Sequence, residues 1–301
     1  MRDYLAAELV QDCGDGLLTR REALRRLGLL GVSLATATTL LAACGDDDDA
    51  PGAASSTTTT AVGSSSGTDP AAGADADADA EMICFAGPSG EVAGVFAAPS
   101  SAKGAVLVIH ENRGLTAHFH DLVGRLAADD YAALAVDLLT PEGGTASLEE
   151  ADATAGLSAA PESRLLGDLR AGIDELGRRA SGAKVGAMGF CFGGGMVWRL
   201  LAAGEGRLAA AVPFYGTTPA DPDFSGSDAA VLAIYGGLDG RVTSDRPKAE
   251  AALEAAGLTY EVQVYEGANH AFFNDTGARY DRVAAVDAYR RVLDWFGRHL
   301  V

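Results

Sequence analysis

One cysteine of this 301-residue chain lies in a pattern that is typical of a catalytic nucleophile. Residues 189–193 read Gly-Phe-Cys-Phe-Gly, and they follow an apolar stretch and precede a helical one. This is the Gly-x-Ser-x-Gly nucleophile elbow with Cys191 in place of the serine, where the glycines allow a tight strand-to-helix turn. A helix N-terminus helps to stabilise a thiolate, which is the reactive form. The alternative interpretation is a small buried cysteine in a glycine-rich bend.

An acid and a base follow Cys191 in the chain order found in α/β hydrolases. Asp239 comes just after the apolar stretch 229–235, and His270 just after the alternating stretch 260–265. A histidine can remove a thiol proton near neutral pH, and an aspartate fixes the tautomer and orientation of that histidine. Each residue alone is a weak signal, because such an aspartate is usually a cap and a single histidine is usually structural. Their order and the elbow together predict a triad.

A further carboxylate, Glu111, follows the apolar stretch 105–109, in the segment His-Glu-Asn-Arg-Gly-Leu at 110–115. The loop at this point normally supplies one backbone N–H of an oxyanion hole, and the residue after the nucleophile, here Phe192, supplies the other. A negative charge beside the thiol would raise its pKa unless the carboxylate takes part in proton transfer. His110 and Glu111 could form half of a metal site, but His-Glu-x-x-His would need a histidine where residue 114 is glycine. We therefore expect no metal and no other cofactor.

These residues require a sheet whose strand ends meet at one edge. Unbroken apolar stretches are typical of parallel strands buried on both faces, and in such sheets the site forms at the carboxyl ends of the strands. We predict strands at 105–109, 132–136, 184–188, 209–214, 229–235 and 260–265, an antiparallel strand at 91–97, and helices at 118–129, 165–179, 194–203, 245–256 and 281–299. The fold class is therefore α/β: one domain from 81 to 301 with a doubly wound, mostly parallel sheet and helices on both faces.

The first 43 residues have the pattern of an export signal. Arg20 and Arg21 precede a run of apolar and small residues from 27 to 43, and paired arginines are typical of the twin-arginine route. Leu-Ala-Ala-Cys at 41–44 resembles a bacterial lipoprotein box, in which Cys44 is lipidated and becomes the first residue. The alternative is a buried or membrane-spanning helix, but the run from 27 to 43 is barely long enough to span a membrane. We expect an exported protein anchored to the outer face of the cell membrane, or else a soluble secreted or periplasmic one.

Residues 44–80 consist of Gly, Ala, Ser, Thr and Asp and little else. Such a segment cannot bury enough apolar surface to offset its ordering entropy, so we predict a disordered, acidic tether. Its alternating aspartates at 75, 77 and 79 lack the glycine and glutamate of a calcium loop, which favours a solvated spacer. The net charge of −19, with only three lysines, argues against nucleic acid as a partner. Cys84 is interpreted as a packing residue on an early strand.

Taken together, these motifs resemble those of the dienelactone hydrolase family, whose members are carboxymethylenebutenolidase-like enzymes. The resemblance covers residues 81–301 and rests on the segments 110–115, 189–194, 214–216, 236–239 and 270–272. It implies an α/β-hydrolase fold and cleavage of a small ester or lactone. It also implies roles for individual residues: Cys191 as nucleophile, His270 as base, Asp239 as acid, Glu111 in forming the thiolate, and the backbone N–H groups of Phe192 and Asn112 as the oxyanion hole.

The chain departs from the family pattern where the substrate is held. Family members bind the carboxylate of dienelactone with two arginines, one of them four residues after the base, where this chain has Asn274. The other falls in the helical region before Leu165, yet residues 143–163 contain no lysine or arginine, which leaves Arg113 or Arg241 to approach from other loops. We expect a neutral or unidentified ester or lactone as the substrate. The expected substrate contacts are Arg113, Tyr215 and Asn274.

Two other functions remain open at this stage. One is a catalytically silent, exported ligand-binding lipoprotein on the same fold, against which the intact set of nucleophile, acid and base argues. The other is a thiol redox sensor, which would need Cys84 as the partner of Cys191. The sequence identifies no protein partner and no oligomeric state.

Overall fold

The computed structural model describes residues 2–42 and 80–301; the predicted lipidation site Cys44 and all but the last residue of the predicted tether lie outside them. The described residues fall into two compact units, 2–42 and 80–301. The first contains the helices α1 (Arg2–Gly14), α2 (Arg20–Leu29) and α3 (Leu34–Leu40). Within the described ranges, no helix combines the length and the apolar character that crossing a membrane requires.

The second unit is built on one eight-stranded sheet with the order β1-β2-β4-β3-β5-β6-β7-β8. The neighbours from β4 to β8 are parallel, and β1 and β2 extend one edge as antiparallel strands. No predicted strand end is more than two residues from its observed position. The strands are β1 (Glu81–Gly87), β2 (Gly90–Ala97), β3 (Gly104–Ile109), β4 (Tyr131–Val136), β5 (Val185–Phe190), β6 (Leu208–Phe214), β7 (Ala230–Gly236) and β8 (Tyr260–Tyr265).

Helices cover both faces of this sheet. Every residue of β3, β4, β5 and β7 is buried, and because successive side chains of a strand point to opposite faces, both faces must be covered. The predicted α/β class is therefore confirmed. The helices of this unit are α4 (Ala117–Ala128), α5 (Glu150–Ala159), α6 (Glu162–Arg179), α7 (Phe192–Ala202), α8 (Gly240–Thr243), α9 (Arg246–Ala256) and α10 (Arg282–His299).

Helix α5 was not predicted from the sequence. Its residues, Glu-Ala-Asp-Ala-Thr-Ala-Gly-Leu-Ser-Ala, are rich in alanine, which favours a helix, but they lack the apolar periodicity on which the other helices were predicted. The four-residue helix α8 was also missed, because it is shorter than the window over which a helical pattern can be recognised.

The interpretation of Cys84 as a packing residue is wrong. In β1 the side chains of Ile83 and Phe85 are buried, whereas Cys84 between them is exposed and its thiol is free. The two faces of a strand alternate, so a residue between two core residues points away from the core.

The parallel register brings the carboxyl ends of five strands to one edge of the sheet. Ile109 pairs with Gly189, Phe214 pairs with both Phe190 and Ile234, and Gly236 pairs with Tyr265. The loops that follow these strands are therefore neighbours. They carry the residues singled out from the sequence, namely Glu111 after β3, Cys191 after β5, Tyr215 after β6, Asp239 after β7 and His270 after β8.

Candidate active site

Cys191 lies alone between β5 and α7, in a sharply bent backbone conformation. Its φ of +55° is in the left-handed region, which an L-residue with a side chain rarely occupies, and such strain is common at functional sites. The turn is tight enough that a Cβ on Gly193 would overlap the carbonyl oxygens of Ile109 and His110. Helix α7 begins at the next residue, Phe192, so the thiol lies at the positive end of an eleven-residue helix.

Asp239 and His270 form a short hydrogen bond between two buried side chains. Nδ1 of His270 is 2.5 Å from Oδ2 of Asp239, and the side chains are 1% and 0% exposed. Burial alone would raise the pKa of Asp239, but the hydrogen bond and charge of His270, the charge of Arg241 and the backbone N–H of Val242 together lower it. An ionised Asp239 requires a proton on Nδ1, which leaves Nε2 as the basic nitrogen of a neutral ring.

The sulfur of Cys191 lies within 4.8 Å of a ring nitrogen of His270. The structure thus brings together the three residues that the sequence proposed as nucleophile, base and acid, although they come from three different loops. Catalytic pairs of this kind often tighten only when substrate is bound.

The Glu111 carboxylate is held by two neutral donors. Nδ2 of Asn274 donates to Oε2 at 2.9 Å, and the hydroxyl of Tyr215 lies 3.4 Å from Oε1. Burial, followed by the charges of Glu111 and Cys191, raises the pKa of Tyr215 well above its ordinary value, so its phenol remains a hydrogen-bond donor. The Tyr215 ring centre is 5.0 Å from that of His270. The carboxylate, the phenol and the triad therefore form one cluster.

Tyr215 and Asn274 were predicted to contact substrate, and the structure directs their polar groups to Glu111. The backbone of Tyr215 has an unusual φ of +35°. The side-chain oxygen Oδ1 of Asn274 accepts hydrogen bonds from the backbone N–H and the hydroxyl of Thr276, which leaves Nδ2 to donate to Glu111. A substrate contact for either residue remains a prediction.

The predicted oxyanion hole involves two backbone N–H groups at this edge of the sheet. Phe192 is the first residue of α7, so its N–H has no carbonyl partner within that helix. Asn112 lies in the turn after β3, where Thr154 of α5 donates its hydroxyl to the Asn112 carbonyl at 3.2 Å. Thr154, which was not predicted to belong to the site, thereby anchors this turn. The peptide that carries the Asn112 N–H is held through the Glu111 carbonyl, which accepts from the N–H of Gly114 at 3.1 Å.

Thr145 also secures the loop after β3. Its hydroxyl donates to Oδ1 of Asp137 at 2.7 Å and accepts from the backbone N–H of Leu115 at 2.9 Å. Gly114, with a φ of +87°, has no room for a Cβ, which would overlap the Thr145 hydroxyl. The two hydrogen bonds of Thr145 therefore depend on a glycine at position 114 and a hydroxyl at position 145.

His110 is structural. Its Nδ1 is 2.7 Å from the carbonyl oxygen of Glu111, and its Nε2 accepts from the backbone N–H of Leu138 at 3.2 Å. Complete burial lowers the pKa of His110, so the ring is neutral and links the loops after β3 and β4. With both ring nitrogens bound to the main chain, His110 has no atom to offer to the metal site that was considered as an alternative.

The arginines considered for a substrate carboxylate have other partners. Nε of Arg113 is 3.1 Å from Glu150 on α5, and Arg241, on α8, contributes to the low pKa of Asp239. Arg164, directly before Leu165, is an arginine of the expected helical region that was not predicted from the sequence. It is bound to the carbonyl of Leu138 and to Asp168 and Glu142.

Comparison with known proteins shows the family to which this chain is similar. The model of the dienelactone hydrolase family matches residues 92–300. A Salmonella typhimurium protein named "Putative carboxymethylenebutenolidase" is 32% identical over 221 residues, covering 68% of this chain and 82% of that one. A protein of the same name from Escherichia coli O157:H7 is 34% identical over 212 residues, covering 64% and 76%.

A solved structure shares both the fold and part of the sequence. The crystal structure titled "Putative Dienelactone Hydrolase" from Klebsiella pneumoniae superposes with a TM-score of 0.65 at 28% identity, covering 73% of this chain and 98% of that one. The dienelactone hydrolase of Anabaena variabilis, at 22% identity and a TM-score of 0.57, shares the fold.

Proposed function

Because the chain belongs to the dienelactone hydrolase family, we propose that it hydrolyses a small, uncharged ester or lactone with Cys191, His270 and Asp239 as its triad. The observation that carries the proposal is the arrangement of these residues. Oδ2 of Asp239 is hydrogen-bonded to Nδ1 of His270 at 2.5 Å. A ring nitrogen of His270 lies within 4.8 Å of the sulfur of Cys191, which is on a strained strand-to-helix turn. This is the arrangement that nucleophilic acyl transfer requires.

The first half of the reaction forms an acyl-enzyme. His270 accepts the thiol proton of Cys191, and the thiolate attacks the carbonyl carbon of the substrate. The carbonyl oxygen becomes an oxyanion that accepts hydrogen bonds from the backbone N–H groups of Phe192 and Asn112. As the carbon–oxygen single bond breaks, the protonated His270 gives its proton to the leaving alkoxide, and a thioester with Cys191 remains.

The second half releases the acid. A water molecule loses a proton to His270 as it attacks the thioester carbonyl, and the same backbone N–H groups bind the second oxyanion. The tetrahedral species then expels the sulfur of Cys191, which takes the proton back from His270. Asp239 stays ionised throughout and stabilises the positively charged ring of His270 in both halves.

An uncharged substrate is favoured by the groups around Glu111. The residue four positions after the base is a neutral asparagine bound to Glu111, and Arg113 is paired with Glu150. A substrate carboxylate would lie near the negative charge of Glu111, and like charges at short range repel. The arginine that family members place at this point, which would offset the repulsion, is Asn274 in this chain. We assign to Glu111 itself the role that the family resemblance implies, which is to help form the thiolate when substrate arrives.

The test is hydrolysis of a panel of aryl esters and lactones, each in a neutral and a carboxylate-bearing form. Cys191→Ala should abolish turnover, because it removes the nucleophile. Cys191→Ser should retain a small fraction of the turnover, because a serine hydroxyl is a weaker nucleophile than a cysteine thiolate. Cys84→Ala, which removes an exposed thiol on β1, is the matched control and should leave the rate unchanged. Wild type no faster than Cys191→Ala across the panel would refute the enzymatic function and favour ligand binding alone.

We further propose that the protein is exported and lipidated at Cys44. Support comes from the sequence: the twin arginines at 20 and 21, the apolar run to residue 43 and the Leu-Ala-Ala-Cys box. Palmitate labelling of the full chain should be lost in Cys44→Ala and kept in Cys13→Ala. Labelling that survives Cys44→Ala would refute the anchor. Replacement of Arg20 and Arg21 by lysine should block export of a correctly folded protein, whereas the same change at Arg25 and Arg26 should not.

A further inference from the structure

A second histidine–aspartate pair, a buried histidine and a partly buried aspartate, lies next to the active site. Nδ1 of His118 is 2.7 Å from Oδ1 of Asp275, and the two side chains are 1% and 15% exposed. His118 is the second residue of α4, and Asp275 lies in the loop after His270. Neither residue was predicted from the sequence, because they are 157 positions apart and belong to no recognised motif.

The His118 ring is enclosed by aromatic side chains. Its centre is 5.1 Å from that of Phe119, 6.4 Å from Phe190 and 6.0 Å from Phe273. Phe190 immediately precedes Cys191, and Phe273 immediately precedes Asn274. Nε2 of His118 is buried and has no hydrogen-bond partner among the residues that the structure describes. A phenylalanine would fill this cage without burying a polar atom, so the Nδ1 bond is what distinguishes histidine at this position.

Asp275, the partner of His118, lies in the same loop as Asn274, which donates a hydrogen bond to Glu111. The loop leaves His270 through Ala271, whose φ of +59° is unusual for a residue with a side chain. Two consecutive residues of the loop then form hydrogen bonds with two different elements. Asn274 donates to Glu111 in the loop after β3, and Asp275 accepts from His118 on α4. Because the two residues share a peptide bond, fixing Asp275 on α4 restricts where the Asn274 amide can lie.

We infer that His118 is a positioning residue for Glu111. By holding Asp275, it keeps the amide of Asn274 on the Glu111 carboxylate and thereby sets where that charge lies relative to the Cys191 thiol. The inference rests on the proposed function, in which Glu111 helps to form the thiolate only when substrate arrives. Without the His118 bond the loop gains freedom, and the carboxylate is free to turn toward the sulfur before substrate is bound. There its negative charge raises the pKa of the Cys191 thiol.

Two substitutions separate hydrogen bonding from packing. His118→Phe keeps an aromatic ring in the cage and removes the donor, whereas His118→Asn keeps an N–H at the position of Nδ1 and removes most of the ring. If His118 acts through its hydrogen bond, His118→Phe lowers kcat for an aryl ester by about threefold to tenfold with KM within about twofold. His118→Asn then retains more activity than His118→Phe. His120→Phe, the same change two residues further along α4, is the matched control.

The second readout does not depend on turnover. Iodoacetamide alkylation of Cys191 in the full chain, followed by peptide mass spectrometry from pH 5 to 10, reports thiolate formation. We expect the midpoint pH to rise by about 0.5 in His118→Phe, which slows alkylation about threefold below the midpoint. Asn274→Ala should raise it by a similar amount, and the double variant should add little, because both changes act through one contact.

The outcomes separate the inference from the proposed function. An unchanged midpoint and unchanged kcat in His118→Phe, or activity retained in His118→Phe but lost in His118→Asn, would show that the ring only packs. Additive shifts in the double variant would also overturn the inference. If no ester is turned over by the wild type, the function fails, and the alkylation profile still decides whether His118 positions Glu111.

Discussion

The side-chain amide of Asn274 donates a hydrogen bond of 2.9 Å to the carboxylate of Glu111, across 163 positions of sequence. Both side chains are less than a tenth exposed. At this point the chain places a neutral dipole where the family pattern has the positive charge of an arginine. The contact connects the loop that carries the predicted base with the loop that carries the predicted oxyanion donor.

Replacing Asn274 with arginine should change which substrates are accepted. A guanidinium beside Glu111 would offer a carboxylate-bearing lactone a charged, bidentate partner. We expect KM for such a lactone to fall about tenfold relative to its neutral analogue, which is about 1.4 kcal/mol of binding. Steady-state kinetics on matched neutral and anionic substrates measure this ratio. Asn274→Gln lengthens the side chain without charge, and an equal change in that variant would contradict an electrostatic cause.

Asp239→Asn should remove most of the activity with little change in fold. The amide would present an N–H to His270 and favour the tautomer whose Nε2 carries a proton, so His270 could no longer accept one from Cys191. We expect kcat for an aryl ester to fall about a thousandfold or more. Asp245→Asn, at the N-terminus of α9, is the control and should stay near wild type. A loss of less than tenfold in Asp239→Asn would remove Asp239 from the mechanism.

Thr145→Val should weaken catalysis without touching substrate. Valine has nearly the same shape but cannot donate to Asp137 or accept from the N–H of Leu115. We expect kcat to fall about tenfold, less than the loss of an oxyanion donor itself, and the free energy of unfolding to fall by about 1–3 kcal/mol. Thr145→Ser keeps the hydroxyl and should be close to wild type in kcat. Equal kcat losses in the valine and serine variants would show that the methyl group, not the hydroxyl, matters.

Asp287 should contribute stability that is lost in acid. Burial would raise the pKa of Asp287, but hydrogen bonds from Arg291, Tyr265 and Arg290 lower it from 3.8 to about 2. A carboxyl whose folded-state pKa is depressed stabilises the fold above its unfolded pKa, near 4, and loses that contribution as the pH falls toward 2.

The corresponding variant is Asp287→Asn. It should lower the free energy of unfolding at pH 7 by about 1–2 kcal/mol, with the partners partly screened by solvent. Urea unfolding at pH 7, 4 and 3 should show the difference from wild type shrinking as the pH falls below 4. Asp294→Asn, at an exposed position on the same helix, should show no such trend. A difference that stays constant down to pH 3 would disprove the linkage.

The sequence predicted most elements of the second unit closely. Apolar runs such as 105–109 and 132–136 gave strands within two residues of β3 and β4, because a strand buried on both faces needs an unbroken apolar run. The elbow around Cys191 was equally local, since a strand-to-helix turn needs glycines at fixed spacings from the nucleophile. By contrast, α5 went unrecognised, because its alanines carry helix propensity but no periodicity.

The sequence by itself determined which residues can do chemistry: a thiol on a glycine-rich turn, and an aspartate and a histidine after later strands. These signals are local, because the strand pattern and the turn are each encoded within a few residues. Only the tertiary structure decided the partners, such as Asn274 and Tyr215 on Glu111, His118 on Asp275, and Thr145 between Asp137 and Leu115. Those contacts join residues 8 to 163 positions apart, and a hydrogen bond forms only when folding brings a donor and an acceptor to about 3 Å.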